Sequence, residues 1–444
     1  MKSTGGPLCH KGISGSVLVR CSLGVVAWLV IVAGFPVVGF AQEGTIEQLV
    51  ATALQRSPEI RAARTEIAAA GGQVTQARLR PNPTVSASQM FMTGEQHLAL
   101  FEVEWPLDLY RRNGRVSVAQ NAVKATTLAI DNRERMLAAS VREQAGRLLA
   151  ARRNAGIMNE ALTAARRMRE LLDARVTEGE IPKLDANVAA VEAGRIEADL
   201  AIVQADADAA AIELKALVGM PANTPLVLND SLEQLVRGLD ASSPSVTPAS
   251  PASIAARADI QEAAARVTLA NERVEQARRE GRADMSLIGN VGRESYGFAQ
   301  RGFDAAGRLV PVQGDFRSAT IGASVMLPFR NRNQGAVAAA EAERGGQQEL
   351  LAARQLAAQA ELDAATVRDR EARRAVDMYA TSIRDLARQN VDVQLEAYDL
   401  GRTPLTDLLT EQRRYLDVEA AYTNMLERAY QARVALRRAK GDIR

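Results

Sequence analysis

Two periods of apolar and polar positions alternate along this chain, and each predicts a different element. Over 376–400 the apolar side chains recur in steps of three and four, which is typical of helices that pack as coiled coils. Four short stretches instead alternate with a period of two, which predicts strands that have one apolar face. The chain is therefore expected to combine long helices with a small β part.

The alternating stretches cover 84–92, 97–105, 285–293 and 318–327. In the second of them Ala99, Phe101, Val103 and Trp105 alternate with Leu98, Leu100, Glu102 and Glu104. Prolines at 81, 83, 106 and 328 mark the strand ends. The chain therefore carries two pairs of predicted strands, each with an apolar face and a more polar face.

Helical patterns fill the sequence around these strands. The predicted helices are two opening helices, 46–79 (broken near Pro58) and 254–282, two long helices, 116–178 and 335–399, and two return helices, 183–218 and 405–440. A long helix of about 65 residues would reach roughly 95 Å at 1.5 Å per residue. A return helix and an opening helix placed end to end match that length, which predicts one long helix flanked by two stacked short ones.

The order of elements occurs twice, so the chain is interpreted as a duplication. The turn with Gly179, Pro182 and Asp185 recurs 222 residues later as Gly401, Pro404 and Asp407, and Pro106 recurs as Pro328 at the same offset. The motif at 56–60 recurs at 256–260, an offset of only 200, so the second copy holds 22 more residues between its opening helix and its second strand. The predicted division is a signal peptide at 1–41, repeats at 42–219 and 253–444, and a proline-rich connector at 220–252 with a short strand and a helical turn.

The first 41 residues have the pattern of a secretory signal peptide. They contain Lys2, Lys11 and Arg20 without an acid, an apolar run over 23–40, and small residues at 39 and 41 before the expected cleavage. A retained membrane helix is the alternative, although a run of 18 residues with internal Gly and Pro is marginal for spanning. Both cysteines lie in this segment, so the exported chain is expected to lack disulfides, and neither position suits lipidation.

Composition narrows the function further. The sequence is 47% hydrophobic but only 4% aromatic, which favours long helices over a packed α/β enzyme. Its formal charge of +2 argues against a dedicated nucleic-acid binder. His97 is the only histidine beyond the signal peptide, and no cluster of ligands or catalytic residues is evident, so we expect neither a cofactor, a metal site nor enzymatic activity.

Four strands cannot close a barrel, whereas three chains would supply twelve, an even number within the range of outer-membrane barrels. In that arrangement Phe101 and Trp105 would lie at the membrane interface, with Trp105 at the periplasmic rim, and Glu102 and Glu104 would face the lumen. The alternative is a small soluble sheet packed on its own chain. The predicted fold class is mainly α with a small β part: duplicated helical hairpins, and four strands per chain contributing to a twelve-stranded trimeric barrel. That the hairpins form an α-barrel is implied only by the family resemblance described next.

This plan resembles the TolC-like outer membrane factor family of tripartite efflux systems. The resemblance rests on the duplication, the Pro81–Pro83 motif before the first strand, the stretch from Leu327 to Gly335 after the fourth, and the two acidic tip turns. The stretch from Asn331 to Gly335 is most similar to the heavy-metal branch. The resemblance implies a homotrimer in the outer membrane, with a periplasmic helical tunnel, a periplasmic adaptor and an inner-membrane pump of the RND type.

The predicted function is a passive exit duct, and its tips are the candidate gate. Tip turns at Gly179, Pro182, Gly401 and Pro404 are expected to contact the adaptor, and Glu180 and Arg402 to hold the tips shut. In a trimer Asp185 or Asp407 would form a ring of carboxylates, and the resemblance favours Asp407; the alternative is that both acids only stabilise helix N-termini. A periplasmic adaptor and a secreted structural coiled-coil protein are the other functions considered. Cargo, metal cation or drug, stays open.

Overall fold

The computed structural model describes residues 42–92, 96–241 and 254–441. The expected signal peptide and part of the connector lie outside these ranges. The first run of elements is β1 (Gln42–Gly44), α1 (Ile46–Arg56), α2 (Pro58–Arg78), β2 (Thr84–Met92), β3 (Gln96–Pro106), α3 (Arg111–Thr177) and α4 (Lys183–Val218). The second is β4 (Leu226–Leu228), α5 (Leu232–Ala241), α6 (Ala258–Glu280), β5 (Asp284–Phe303), β6 (Leu309–Met326), α7 (Gln334–Met378), α8 (Arg384–Asp399) and α9 (Leu405–Lys440). The fold is mainly helical with a small β part, as the sequence predicts.

The second long helix extends over 334–399, close to the expected 335–399. It contains a π-helical turn, Tyr379–Ile383, between α7 and α8, which the sequence pattern did not predict. Such a segment accommodates one extra residue and turns the following side chains to a new direction. Here it places the Arg384 guanidinium over the Tyr422 ring, 4.4 Å from its centroid, with Nε donating to Glu419 Oε1 at 2.7 Å.

The four long strands form one antiparallel sheet in the order β2-β3-β5-β6. The first hairpin matches its predicted strands closely, but β5 and β6 are about twice as long as the sequence pattern indicates. The extra residues of the second repeat therefore lengthen its hairpin instead of forming a loop. Their alternation is obscured by glycines and by an irregular pairing between Phe298 and Arg301.

The connector contributes more structure than the predicted helical turn. Its strand β4 pairs in parallel with β1, and its helix α5 has ten residues. Leu232 and Val236 of α5 enter the largest buried cluster, which also contains Leu49, Val141 and Leu148. The Arg153 Nε atom lies 2.5 Å from Glu233 Oε1, which ties α5 to the middle of α3. The connector therefore packs against the helices near their midpoint.

Small residues allow the long helices to approach closely in this core. Gly146 of α3 faces the buried ring of Tyr430 on α9, and a Cβ at Gly146 would lie 2.5 Å from Tyr430 Cδ1. Gly156, ten residues further along the same helix, has no atom within 4 Å of the same hypothetical Cβ. The two glycines thus differ in packing but share one helix.

We therefore expect Gly146→Ala to destabilise the protein by roughly 1–3 kcal/mol, because the ring of Tyr430 must be displaced. Gly156→Ala is the matched control, and it should be neutral or stabilising by up to about 1 kcal/mol because alanine favours helix. Thermal unfolding followed by circular dichroism compares the two variants. Equal effects would contradict the packing described here.

Candidate functional site: the helical tips and the sheet

Both tip turns begin with the same helix-terminating geometry. Gly179 and Gly401 adopt left-handed backbone conformations, with φ of 78° and 71°. The amide of Glu180 donates to Arg175 O at 2.9 Å, and that of Arg402 donates to Ala397 O at 2.9 Å. These are the six-residue bonds of a Schellman motif, which favours glycine at the left-handed position. The duplicated glycines therefore determine where α3 and α8 end.

The prolines precede the return helices, which begin at the predicted residues 183 and 405. Pro182 and Pro404 are the extended N-cap residues of α4 and α9. The amides of Asp185 and Asp407 donate to these proline carbonyls at 3.1 and 3.2 Å. Neither helix has a side-chain cap. Both acids lie in the first turn of their helix, where the positive end of the helix dipole favours a negative charge.

An apolar cluster joins the two tips within one chain. Leu405, Leu408 and Leu409 of α9 pack with Leu172 of α3 and with alanines of α4. Tyr398, beside this cluster, has its pKa raised by burial and by the negative charge of Asp185. The first tip therefore points its acid towards the second hairpin.

The two tip acids have different surroundings. Asp185 is half-buried and close to Tyr398, whereas Asp407 is exposed. Asp407 lines a shallow groove between α8 and α9 that also contains Asn390 and Gln394. Of the two, Asp407 is the carboxylate that a neighbouring molecule or ion can reach.

Glu180 and Arg402 are exposed, and within the described chain their side chains make no hydrogen bond or ion pair. They do not bond each other. A link that holds the tips shut would therefore have to involve another chain, so this role stays a prediction.

Two buried glutamates connect the helices above the tips, and sequence patterns alone did not single them out. Glu192 of α4 accepts from Arg413 Nε at 3.1 Å and from Arg195 Nη2 at 2.8 Å. Glu419 of α9 accepts from Arg384 and from Arg153 Nη2 at 3.0 Å. A cavity of about 540 Å³ lies between these pairs. Burial alone would raise the pKa of Glu192, but the hydrogen bonds from Arg413 and Arg195 lower it to about 2.

The sheet separates its side chains into two faces, and direct cross-strand partners share a face. One face is apolar yet exposed, with Val85, Phe91, Phe101, Trp105, Leu287, Val291, Ile321 and Val325. The other carries Thr84, Ser86, Glu102, Glu104, Asn290, Ser318 and Thr320. Phe101 and Trp105 thus lie on the opposite face from Glu102 and Glu104, and Trp105 is near the end of β3 that leads into the helices.

The described part of the chain contains neither the pattern of a metal site nor a membrane-spanning helix. No three His, Cys, Asp or Glu side chains there are grouped as metal ligands would be. His97 instead packs against Phe91, with ring centroids 5.4 Å apart. Across the same residues, every helix is too short or too polar to cross a membrane.

Comparisons with known proteins identify the same architecture. The family model described as outer membrane efflux protein matches residues 49–220. A membrane protein from Pseudomonas aeruginosa superposes with a TM-score of 0.74 at 20% identity, covering 91% of this chain and 94% of that one. CusC gives 0.73 at 17% identity, covering 90% and 93%. VceC from Vibrio cholerae gives 0.69 at 20% identity, covering 89% and 96%.

A search of curated proteins found no match to this sequence. The family resemblance seen in the sequence is confirmed by the matched region. The structural likenesses, all at 20% identity or below among these three, establish the fold. The heavy-metal branch stays a prediction.

The Glu192 pairs generate a prediction about acid stability. Because the folded pKa of Glu192 is depressed, its contribution to stability is complete above its unfolded pKa and is lost as pH falls towards 2. Glu192→Gln should therefore lower stability at neutral pH by about 2 kcal/mol, as for a lost charged hydrogen bond. The deficit should shrink between about pH 4.5 and 2.

Glu197→Gln is the matched control on the same helix. Glu197 pairs with Arg166 at 3.0 Å, but its side chain is 61% exposed, so little stability depends on it. Melting temperatures measured from pH 7 to pH 3 test both variants. A Glu192→Gln deficit that does not change with pH would contradict the assignment.

Proposed function

We propose that this chain, whose residues 49–220 match the outer membrane efflux protein family model, is the outer-membrane exit duct of a tripartite efflux system. Three copies would assemble around one axis, with their sheets in the outer membrane and their helices in the periplasm. An inner-membrane pump of the RND type would deliver cargo through a periplasmic adaptor bound at the tips. The duct itself would conduct passively.

The observation that carries this proposal is the four-stranded sheet. Its apolar face is exposed, its other face is more polar, and the outer edges of β2 and β6 pair with no strand among the described residues. Open edges and exposed apolar faces favour aggregation in water. Pairing β6 of one copy with β2 of the next satisfies both edges, and three copies supply twelve strands with lipid outside and water inside.

The helix lengths support a duct that crosses the periplasm. Helix α3 has 67 residues and would extend about 100 Å at 1.5 Å per residue. The polar sheet face, with Glu102 and Glu104, would line the lumen at the other end of the molecule. Such a passage needs no tight binding site, in agreement with the open cavities described above.

The stretch from Asn331 to Gly335, which is similar to the heavy-metal branch, does not identify the cargo. Asn333 adopts a left-handed conformation, with φ of 61°, and its Nδ2 donates to Ala277 O at 2.8 Å. Asn331 Oδ1 accepts from the amide of Asn333. These contacts turn the chain from β6 into α7, so the motif is explained by structure. Heavy-metal cations remain one proposed cargo and drugs another.

The two alternative functions fit the sheet less well. A periplasmic adaptor or a structural coiled-coil protein would be soluble, and an exposed face with Phe101, Trp105 and Ile321 is unfavourable in water. Neither alternative explains why one sheet of four strands carries an exposed apolar face on one side and a more polar face on the other.

A pair of variants tests membrane insertion of the sheet. Ile321, 92% exposed on the apolar face, should not tolerate arginine, because a charge facing lipid near mid-membrane costs about 2–4 kcal/mol. Thr320, its neighbour on the polar face, should tolerate arginine. We expect Ile321→Arg, and not Thr320→Arg, to reduce the amount of trimer recovered from outer membranes after cross-linking.

The unmodified chain should fractionate with the outer membrane and cross-link as a trimer. A folded, soluble monomer, or equal recovery of the two arginine variants, would refute the proposal.

The gate generates a separate prediction. In a trimer the exposed Asp407 would occur three times around the axis, and a ring of carboxylates favours cations. Asp407→Ala should therefore reduce cation selectivity in planar bilayers. Asp185→Ala is the matched control, because Asp185 is half-buried against the second hairpin. Unchanged selectivity in Asp407→Ala would leave only the helix-dipole explanation for this acid.

A further inference from the structure

Two arginines interrupt the apolar face of the sheet in one row. Ala99, Arg293 and Arg317 are direct cross-strand partners, so their side chains share the face that carries Phe101 and Val291. On β5 this face is apolar or glycine from Met285 to Val291, about 20 Å along the strand. The arginine row follows on the side away from the helices.

The charges of this row are not balanced within the chain. Like charges placed directly opposite on a sheet repel each other. Arg293 Nη2 pairs with Asp315 Oδ2 at 2.8 Å, and Asp315 also accepts from Ser295. Arg317 forms neither a hydrogen bond nor an ion pair in the described part of the chain, and it is exposed. One cationic group therefore remains available beside an apolar surface.

The surface next to these arginines is concave. A cleft of about 590 Å³ is lined by Ala87, Phe101 and Val291 and, at one end, by Arg293 and Arg317. The cleft thus places one apolar row, Ala87, Phe101 and Val291, directly beside the row that carries both guanidinium groups, which is the combination that an amphiphile with an anionic head would contact. Guanidinium groups bind phosphate through paired hydrogen bonds that an ammonium group cannot reproduce.

The position of the cleft in the proposed assembly indicates which kind of ligand it would meet. If the helices lie in the periplasm, the arginine row lies at the outer edge of the lipid-facing belt. Phe91 and His97, in edge-to-face contact one row further out, have the aromatic character of an interface girdle. At this height a membrane presents lipid phosphates over acyl chains.

We propose that Arg293, Arg317 and the adjoining cleft bind the phosphorylated headgroup of an outer-leaflet lipid, with an acyl chain against Phe101 and Val291. The proposal rests on the function proposed above. Since the cleft is lined by β2, β3, β5 and β6 of one chain, each copy would hold one such site, with Arg317 on its edge strand β6. The bound phosphate would neutralise the arginine row where β6 meets the next chain.

The test uses the purified trimer in detergent and diphosphoryl lipid A as the probe. Thermal stabilisation should be concentration-dependent, and Arg317→Gln should weaken the apparent affinity about tenfold, as expected for lost charge-assisted hydrogen bonds to phosphate. Arg317→Lys should retain only part of the effect, because it keeps the charge without the paired donors. Arg301→Gln is the matched control, since Arg301 lies on the same hairpin but outside the cleft.

Two further ligands separate the sources of phosphate. Lipid A without phosphate should stabilise less, and inorganic phosphate at the same concentration should not stabilise. Equal responses of the unmodified and Arg317→Gln trimers, or full stabilisation by inorganic phosphate, would overturn the inference. Trimer formation and conductance are measured on the same samples. If the Arg317→Gln trimer conducts and binds lipid A normally, the lipid site is rejected while the proposed duct remains supported.

Discussion

The unpaired edges of one four-stranded sheet constrain the whole molecule. Along their outer edges, β2 and β6 pair with no other strand in the described part of the chain, and the apolar face of the sheet exposes Val291 and Ile321. Neither condition is stable in water, and one chain has too few strands to correct them. In the proposed assembly, association with identical copies would remove both problems. With the sheets arranged around one axis, the helices that continue from them would surround the same axis.

Local signals made much of this architecture predictable from the sequence. The first hairpin is predictable because its side chains alternate along short strands. The tip turns and the return helices are predictable because Gly179 and Gly401 end the preceding helices through contacts within a few residues. The length of β5 and β6 was missed, since glycines and charges interrupt their alternation. The π-helical segment Tyr379–Ile383 was missed because its cause is tertiary: it positions Arg384 against Glu419 and Tyr422. The pairing of Glu192 with Arg413 joins residues more than 200 positions apart.

Duplication has left two hairpins with the same turns but different surroundings. Asp185 faces the second hairpin, whereas Asp407 faces a groove open to solvent. The π-helical segment occurs in the second long helix, while α3 is assigned as α-helix throughout. An equivalent pair of sequence motifs therefore does not imply equivalent roles. The differences lie in the contacts around each motif, which a repeat alignment does not contain.

The packed helices combine small apolar contacts with buried ion pairs. The ion pairs fix how the helices align, which the apolar contacts alone do not. With 4% aromatic residues, the helices pack largely through alanine and leucine, and such contacts change little if one helix slides by a turn. A buried carboxylate does not tolerate that shift, because Glu192 without Arg413 and Arg195 would be an unpaired charge. The Glu192–Arg413 pair thus favours one register of α4 against α9, while Arg195 pairs with Glu192 within α4. The proposed duct would depend on this register, because a slip at mid-height would displace the tip turns at the ends of the helices.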